Sequence, residues 1–197
     1  MNTVIYMVRH AESPYSEGTE RTRGLTAQGK LKVEKVTEIL KKEGIDAVVS
    51  SPYARAVMTV QGLADHLNVE VELFEDLRER HFSGDDYKIS DDRFMDVIRE
   101  LFQDPESALP GGESNKACQR RALDALKPIL EKYAGKRVAI GTHGNVMTLM
   151  MNHFDPGYGF EFLDRTTKPD LYKMEFEDSV LVRVARLWEE KAYEPGQ

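Results

Sequence analysis

The chain has 197 residues, 41% hydrophobic and 31% charged, with a formal net charge of −7 and one cysteine, Cys118. That size and balance fit one globular domain spanning residues 1–197, large enough to bury a core without staples. The negative charge argues against a nucleic-acid or anionic-membrane surface as the main partner, because both need a broad basic face.

One cysteine cannot close an internal disulfide, no basic leader precedes the first apolar run, and no run reaches the length of a membrane span. A cytoplasmic protein is therefore expected.

Val4-Ile5-Tyr6-Met7-Val8 reads as a fully buried strand, followed directly by Arg9 and His10. Residues 11–24 are polar and broken by Pro14, Gly18 and Gly24. With Glu17, Glu20, Arg21 and Arg23 they read as a loop able to hang over the site at the strand end as a charged flap. Thr26 is suited to cap a helix carrying Leu31, Val36, Ile39 and Leu40 inward, and Gly44 stops it. Lys32, Lys35, Lys41 and Lys42 are its solvated face. Residues 46–50 predict a second buried strand. Ser51 is then the expected N-cap and Pro52 the first position of a helix reaching Leu67. Arg55, in that helix's first turn, stays close to the strand end. Val69–Phe74 alternates like an edge strand.

The pattern loosens over residues 75–115, which read as a lid-like insertion with one short helical period from Arg93 to Phe102. A long helix is expected from Glu113 to about Tyr133, with Ala117, Leu123, Leu126, Ile129 and Leu130 inward and Pro128 bending it. Arg137–Thr142 repeats the opening arrangement, a buried strand delivering His143. The methionine-rich helix after it reads as core filler rather than a ligand box. Asp170–Glu177 and Val180–Leu187 predict an antiparallel hairpin, and the tail after Trp188 is expected to fray. This β-α-β rhythm implies an α/β fold: a three-layer α/β/α sandwich with a mostly parallel central sheet and antiparallel strands at its edge.

Reactive side chains just past the carboxyl ends of buried strands sit where open α/β sheets place their ligands. Two histidines and two arginines make a poor metal set, since two of the four are permanent cations. The HExxH, CxxC and GxxxxGK[ST] patterns are absent. No metal and no cofactor are expected. Guanidinium forks match phosphoryl oxygens, and a helix beginning after His143 would aim its N–H groups at the same anion. A neutral imidazole can attack phosphorus. His66 and His153 receive no role, and His81, beside Arg80, reads as an exposed loop histidine. For Glu79 the plainer alternative is a surface ion pair with Arg78 or Arg80.

Five segments in order carry a resemblance: Arg9-His10-Ala11-Glu12-Ser13, Ser50-Ser51-Pro52-Tyr53-Ala54-Arg55-Ala56, Leu77-Arg78-Glu79-Arg80-His81, Gly111-Gly112-Glu113-Ser114 and Gly141-Thr142-His143-Gly144. Together they resemble the histidine phosphatase superfamily, the family of phosphoglycerate mutases and their phosphatase relatives. The resemblance implies the phosphoglycerate mutase-like fold. It makes His10 the nucleophile that is phosphorylated, and Arg9, Arg55 and His143 the holders of the phosphoryl oxygens. Glu79 becomes the general acid and base. Ser13 and Ser16 would add hydroxyl contacts to substrate, Ser16 standing where relatives commonly have asparagine. Ala11 replaces the usual glycine, the mildest change possible there.

The mutases carry a paired-arginine motif after the acid residue. Here the pair Arg120-Arg121 falls later, in the long helix. A phosphatase acting on a small phosphorylated metabolite is therefore favoured over a mutase-type isomerase or a non-catalytic phosphoryl-binding module. The oligomeric state is left open.

Overall fold

The computed structural model describes residues 1–189, so the expected frayed tail lies, from residue 190 on, outside the described residues. Strands β1 (Asn2–Arg9), β2 (Ala47–Ser50), β3 (Val71–Leu73), β4 (Arg137–Thr142), β5 (Asp170–Glu177) and β6 (Val180–Arg186) form one sheet in the order β3-β2-β4-β1-β5-β6. The first four run parallel, and β5 and β6 are antiparallel additions at one edge. The helices are α1 (Ala27–Leu40), α2 (Ala54–Leu67), α3 (Asp91–Gln103), α4 (Asn115–Lys132), α5 (Gly144–Phe154) and the short α6 (Phe160–Asp164). This is the mixed α/β architecture expected from the alternation of strands and helices.

The continuous apolar run of β1 has a simple cause. Side chains alternate across a strand, and here both faces are covered. Val4, Tyr6 and Val8 pack with Val36 and Leu40 of α1 and Val60 and Leu63 of α2. Ile5 and Met7 pack on the opposite side with Leu126 and Ile129 of α4 and Met147 and Met150 of α5. The methionines are thus core, as expected. β1 and β4 are neighbours, yet β1 feeds α1 on one face while β4 feeds α5 on the other. Where successive connections leave to opposite faces, a crevice opens at the strands' carboxyl ends.

Local signals explain most boundaries. The Thr26 hydroxyl accepts from the Gly29 N–H at 3.0 Å, capping α1. Gly44 ends the following 3-10 turn at φ 66°, a left-handed conformation that glycine adopts without penalty. Ser114 caps α4 through the Ala117 N–H.

Three expectations are corrected. Leu31 is exposed, because the buried face of α1 runs through Val36 and Leu40. Ala117 is exposed too, and Cys118, Ala122 and Ala125 take the inward positions of α4. Ser51 is not the N-cap of α2. That helix begins at Ala54 behind Tyr53, and the Ser51 hydroxyl is engaged elsewhere. Among the described residues no helix is long and apolar enough to cross a membrane.

Candidate active site

The parallel register makes the two strand ends flush. Arg9 pairs with Thr142, so the next residues, His10 and His143, emerge side by side, and the His10 N–H donates to the Thr142 carbonyl at 2.9 Å. Their ring centroids lie 5.3 Å apart in an edge-on arrangement. His10 Nδ1 is 2.7 Å from the Ala11 carbonyl oxygen, which can only accept, so the proton of the neutral ring sits on Nδ1. The Nε2 lone pair is left to accept from Arg55 Nε–H at 3.2 Å. Burial first, and then the Arg55 charge, hold the His10 pKa well below the ordinary histidine value. His143 is fully buried behind it, with Nε2 sharing a 2.8 Å hydrogen bond with Ser51 Oγ. Burial, and then the neighbouring His10, lower its pKa as well. Both rings are therefore neutral bases at neutral pH.

Two guanidinium groups flank them. Arg9 donates to the hydroxyl and the carbonyl of Thr166, and its head lies against Gly144. Arg55, only 1% exposed, reaches from the first turn of α2 over the Tyr53 ring. Arg9 Nε, His143 Nδ1 and Asn145 Oδ1 are buried without a hydrogen-bond partner among the described residues. Buried polar atoms are normally satisfied, so a buried donor without a partner, such as Arg9 Nε–H, is open to a ligand.

Glu79 completes the cluster from the other side. Its Oε1 accepts from the backbone N–H of Arg80 (2.8 Å) and of Val146 (3.1 Å), and its Oε2 from that of Asn145 (3.3 Å). The N–H groups of α5 that the sequence reading aims at the anion are thus occupied, at Asn145 and Val146, by this carboxylate. Neither Arg78 nor Arg80 forms a side-chain ion pair with it: Arg78 pairs with Asp76, and the Arg80 guanidinium donates to the Glu113 carbonyl.

Arg9, His10, Arg23, Arg55 and Glu79 line a cleft of about 400 Å³ together with Phe82, Phe94, Met95, Ile98 and Leu163. A somewhat larger hollow of about 490 Å³, bordered by α3, α4 and α6, contains neither histidine nor Glu79, so size does not locate the chemistry. No group of three or more potential ligands among the described residues could hold a metal ion.

A family model described as Histidine phosphatase superfamily (branch 1) matches residues 5–185. The chain belongs to that superfamily. Among its relatives, phosphoglycerate mutase-like protein 4 of Arabidopsis thaliana is 31% identical over 165 residues, covering 77% of this chain and 71% of that one. The solved structure of Bacillus stearothermophilus YhfR superposes with a TM-score of 0.77 at 24% identity, over 97% of this chain and 98% of that one. A mutant phosphoserine phosphatase of Entamoeba histolytica, solved in complex with phosphoserine, gives 0.73 at 20% identity, over 92% and 96%. These likenesses confirm the phosphoglycerate mutase-like fold.

Within this member of the histidine phosphatase superfamily, the site residues read from the sequence have distinct placements. His10, Arg9, Arg55 and Glu79 share the cleft, and His143 stands behind His10. Ser13 is buried and accepts from Arg23 Nη1–H at 2.8 Å. Ser16 is exposed on the flap and is not part of the cleft wall. The Ala11 N–H donates to Thr59 and its carbonyl holds His10 Nδ1, so this backbone fixes the orientation of the His10 ring.

Two contributors escaped the sequence reading. Arg23 lies in the cleft wall, 6% exposed, although nothing separates it in sequence from Arg21, which is a surface partner of Glu75. Arg121, half of the misplaced arginine pair, donates to the carbonyls of Asp76, Arg78 and Glu79 and pairs with Glu113. It clamps the segment that presents Glu79. Only its helical position, facing a loop of unknown course, could have signalled this.

Proposed function

We propose that this histidine phosphatase hydrolyses phosphomonoesters of small metabolites through a phosphohistidine formed on His10. The observation that supports the reading best is the neutral His10 ring: its Nε2 lone pair is free of a proton and lies beside Arg55, with Arg9 and Glu79 in the same cleft. In the first step Nε2 attacks phosphorus and the bond to the leaving oxygen breaks, with Glu79 in the role of general acid that delivers a proton to that oxygen. In the second, the Glu79 carboxylate takes a proton from water as the water oxygen bonds to phosphorus. The P–N bond breaks, releasing inorganic phosphate and neutral His10. Arg9 and Arg55 provide fixed positive charge for the phosphoryl oxygens, and His143 backs the nucleophilic ring. The chain acts as one domain in the cytoplasm, with the segment between residues 75 and 115 as its lid.

A phosphatase is favoured over a mutase because Arg121, one member of the only adjacent arginine pair, is committed to Glu113 and to backbone carbonyls. Rapid quenching during turnover of an aryl phosphate should trap an acid-labile phosphoenzyme. With 3-phosphoglycerate and a bisphosphoglycerate primer, no 2-phosphoglycerate should form. A phosphoenzyme that survives in His10→Ala would sink the proposed intermediate, and steady interconversion of the phosphoglycerates would restore the mutase.

The packing of Gly144 permits a sharper check. A methyl group there would lie 2.8 Å from Arg9 Cζ, and that guanidinium is buried. Gly144→Ala should displace the Arg9 head and lower kcat/KM for aryl phosphate by about 10²-fold, the scale of a 1 Å misplacement. The thermal midpoint should change little. Activity within twofold of wild type would mean that the position of Arg9 is immaterial.

A further inference from the structure

Arg55 and Arg23 line the same cleft, and one carboxylate bridges them. Glu20 Oε2 accepts from Arg55 Nη2–H at 3.0 Å and from Arg23 Nη2–H at 3.4 Å, while Oε1 accepts from Arg23 Nε–H at 3.1 Å. The carbonyl of Glu20 accepts from Arg55 Nη1 as well. The two arginine side chains are 1% and 7% exposed, whereas that of Glu20 is 63% exposed. Two buried cations thus converge on an anion that belongs to the surface flap. Burial, and then the charge of Arg23, lower the Arg55 pKa, and Glu20 opposes both. Without an anion between them, the two guanidinium groups would repel in a poorly solvated site.

The same Arg55 head that meets Glu20 through Nη2 meets the nucleophile His10 through Nε. A phosphoryl group in line with His10 Nε2 needs those Arg55 donors. A carboxylate bridging two guanidinium forks presents the oxygens that a phosphoryl group would present. Glu20 lines the cleft itself.

We infer that Glu20 is a built-in occupant of the phosphoryl seat, displaced by substrate, and that the freed Arg23 becomes a further guanidinium ligand of the phosphoryl group. This rests on the phosphatase reading above. It gives the seat a threshold: an entering anion must outcompete a tethered carboxylate, which a phosphate dianion does and a simple carboxylate does not. Displacement requires no unfolding, since the Glu20 side chain needs only to rotate into the solvent that already surrounds most of it.

Titration calorimetry of the full-length protein with inorganic phosphate tests this without turnover. Glu20→Gln should bind phosphate about fivefold more tightly than wild type, the equivalent of about 1 kcal/mol for a displaced exposed ion pair. Its KM for p-nitrophenyl phosphate should fall by a similar factor with kcat unchanged. Arg23→Gln should weaken phosphate binding by about tenfold, and Arg23→Lys should recover part of the loss. Because Glu20 is exposed, its substitution remains decisive even if an Arg23 variant melts early.

Phosphate binding by Glu20→Gln that equals or falls below wild type would overturn the inference and make Glu20 a flap tether. A kcat loss at unchanged KM would overturn it too. If neither wild type nor Glu20→Gln binds phosphate, the phosphatase reading fails with it. Equal binding by both leaves that reading standing.

Discussion

His10→Ala is expected to lower turnover of p-nitrophenyl phosphate by at least about 10⁴-fold, the scale on which loss of an activated nucleophile is felt. The size follows from what the residue does in the structure. Nε2 is the neutral imidazole nitrogen in the cleft, its proton fixed on the opposite nitrogen by the Ala11 carbonyl. Water is a poor substitute, because it must lose a proton as it attacks, whereas the neutral imidazole attacks with a lone pair already free. Arg9, Arg23 and Arg55 remain in place in the variant, so inorganic phosphate should still bind. Loss of turnover with retention of binding separates a nucleophile from a structural histidine. Turnover within tenfold of wild type would remove His10 from the mechanism.

The second large effect is on stability. His10 and His143 are buried and held neutral, each with a pKa well below the ordinary histidine value of about 6.5. Below that pH the unfolded chain binds protons at these two positions that the native chain refuses, so the unfolding free energy rises with pH through this window. Stability is full above about pH 6.5 and is lost as the pH falls, at up to about 1.4 kcal/mol per pH unit for each imidazole.

Urea denaturation between about pH 7 and about pH 5, above the range where most carboxylates titrate, should show this slope. His10→Asn should remove about half of it, since one of the two linked protonations is gone. A bound phosphate dianion should flatten it by raising both histidine pKa values. An unfolding free energy that stays constant over that interval would contradict the burial-driven neutrality of the pair.

How much of this could be read from the chain varies with the residue. β1, β4 and the β5–β6 hairpin were legible because their apolar runs and alternation are local consequences of burial on both faces or on one. His10 and His143 were legible as strand-end residues, and Arg55 as a first-turn residue. Leu31 misled because the width of a helix's apolar face says nothing about how much of it a neighbour covers. Ser51-Pro52 has the composition of a helix start, yet the Ser51 hydroxyl is drawn to His143, 92 positions away. No window along the chain contains that partner.

By itself, then, the sequence determined the class of fold, the family, and four residues, two histidines and two arginines, whose chemistry suits a phosphoryl group, because motif order and hydrophobic period are properties of neighbours in the chain. Tertiary structure alone decided how they act. It set the Arg9–Thr142 register that puts two imidazoles side by side. It gave the N–H groups of α5 to Glu79, made Arg121 a clamp rather than a surface charge, and seated Glu20 between Arg23 and Arg55. Each of these depends on desolvation and on contacts between segments far apart in the chain, and both are set only when the sheet, helices and flap close on one another.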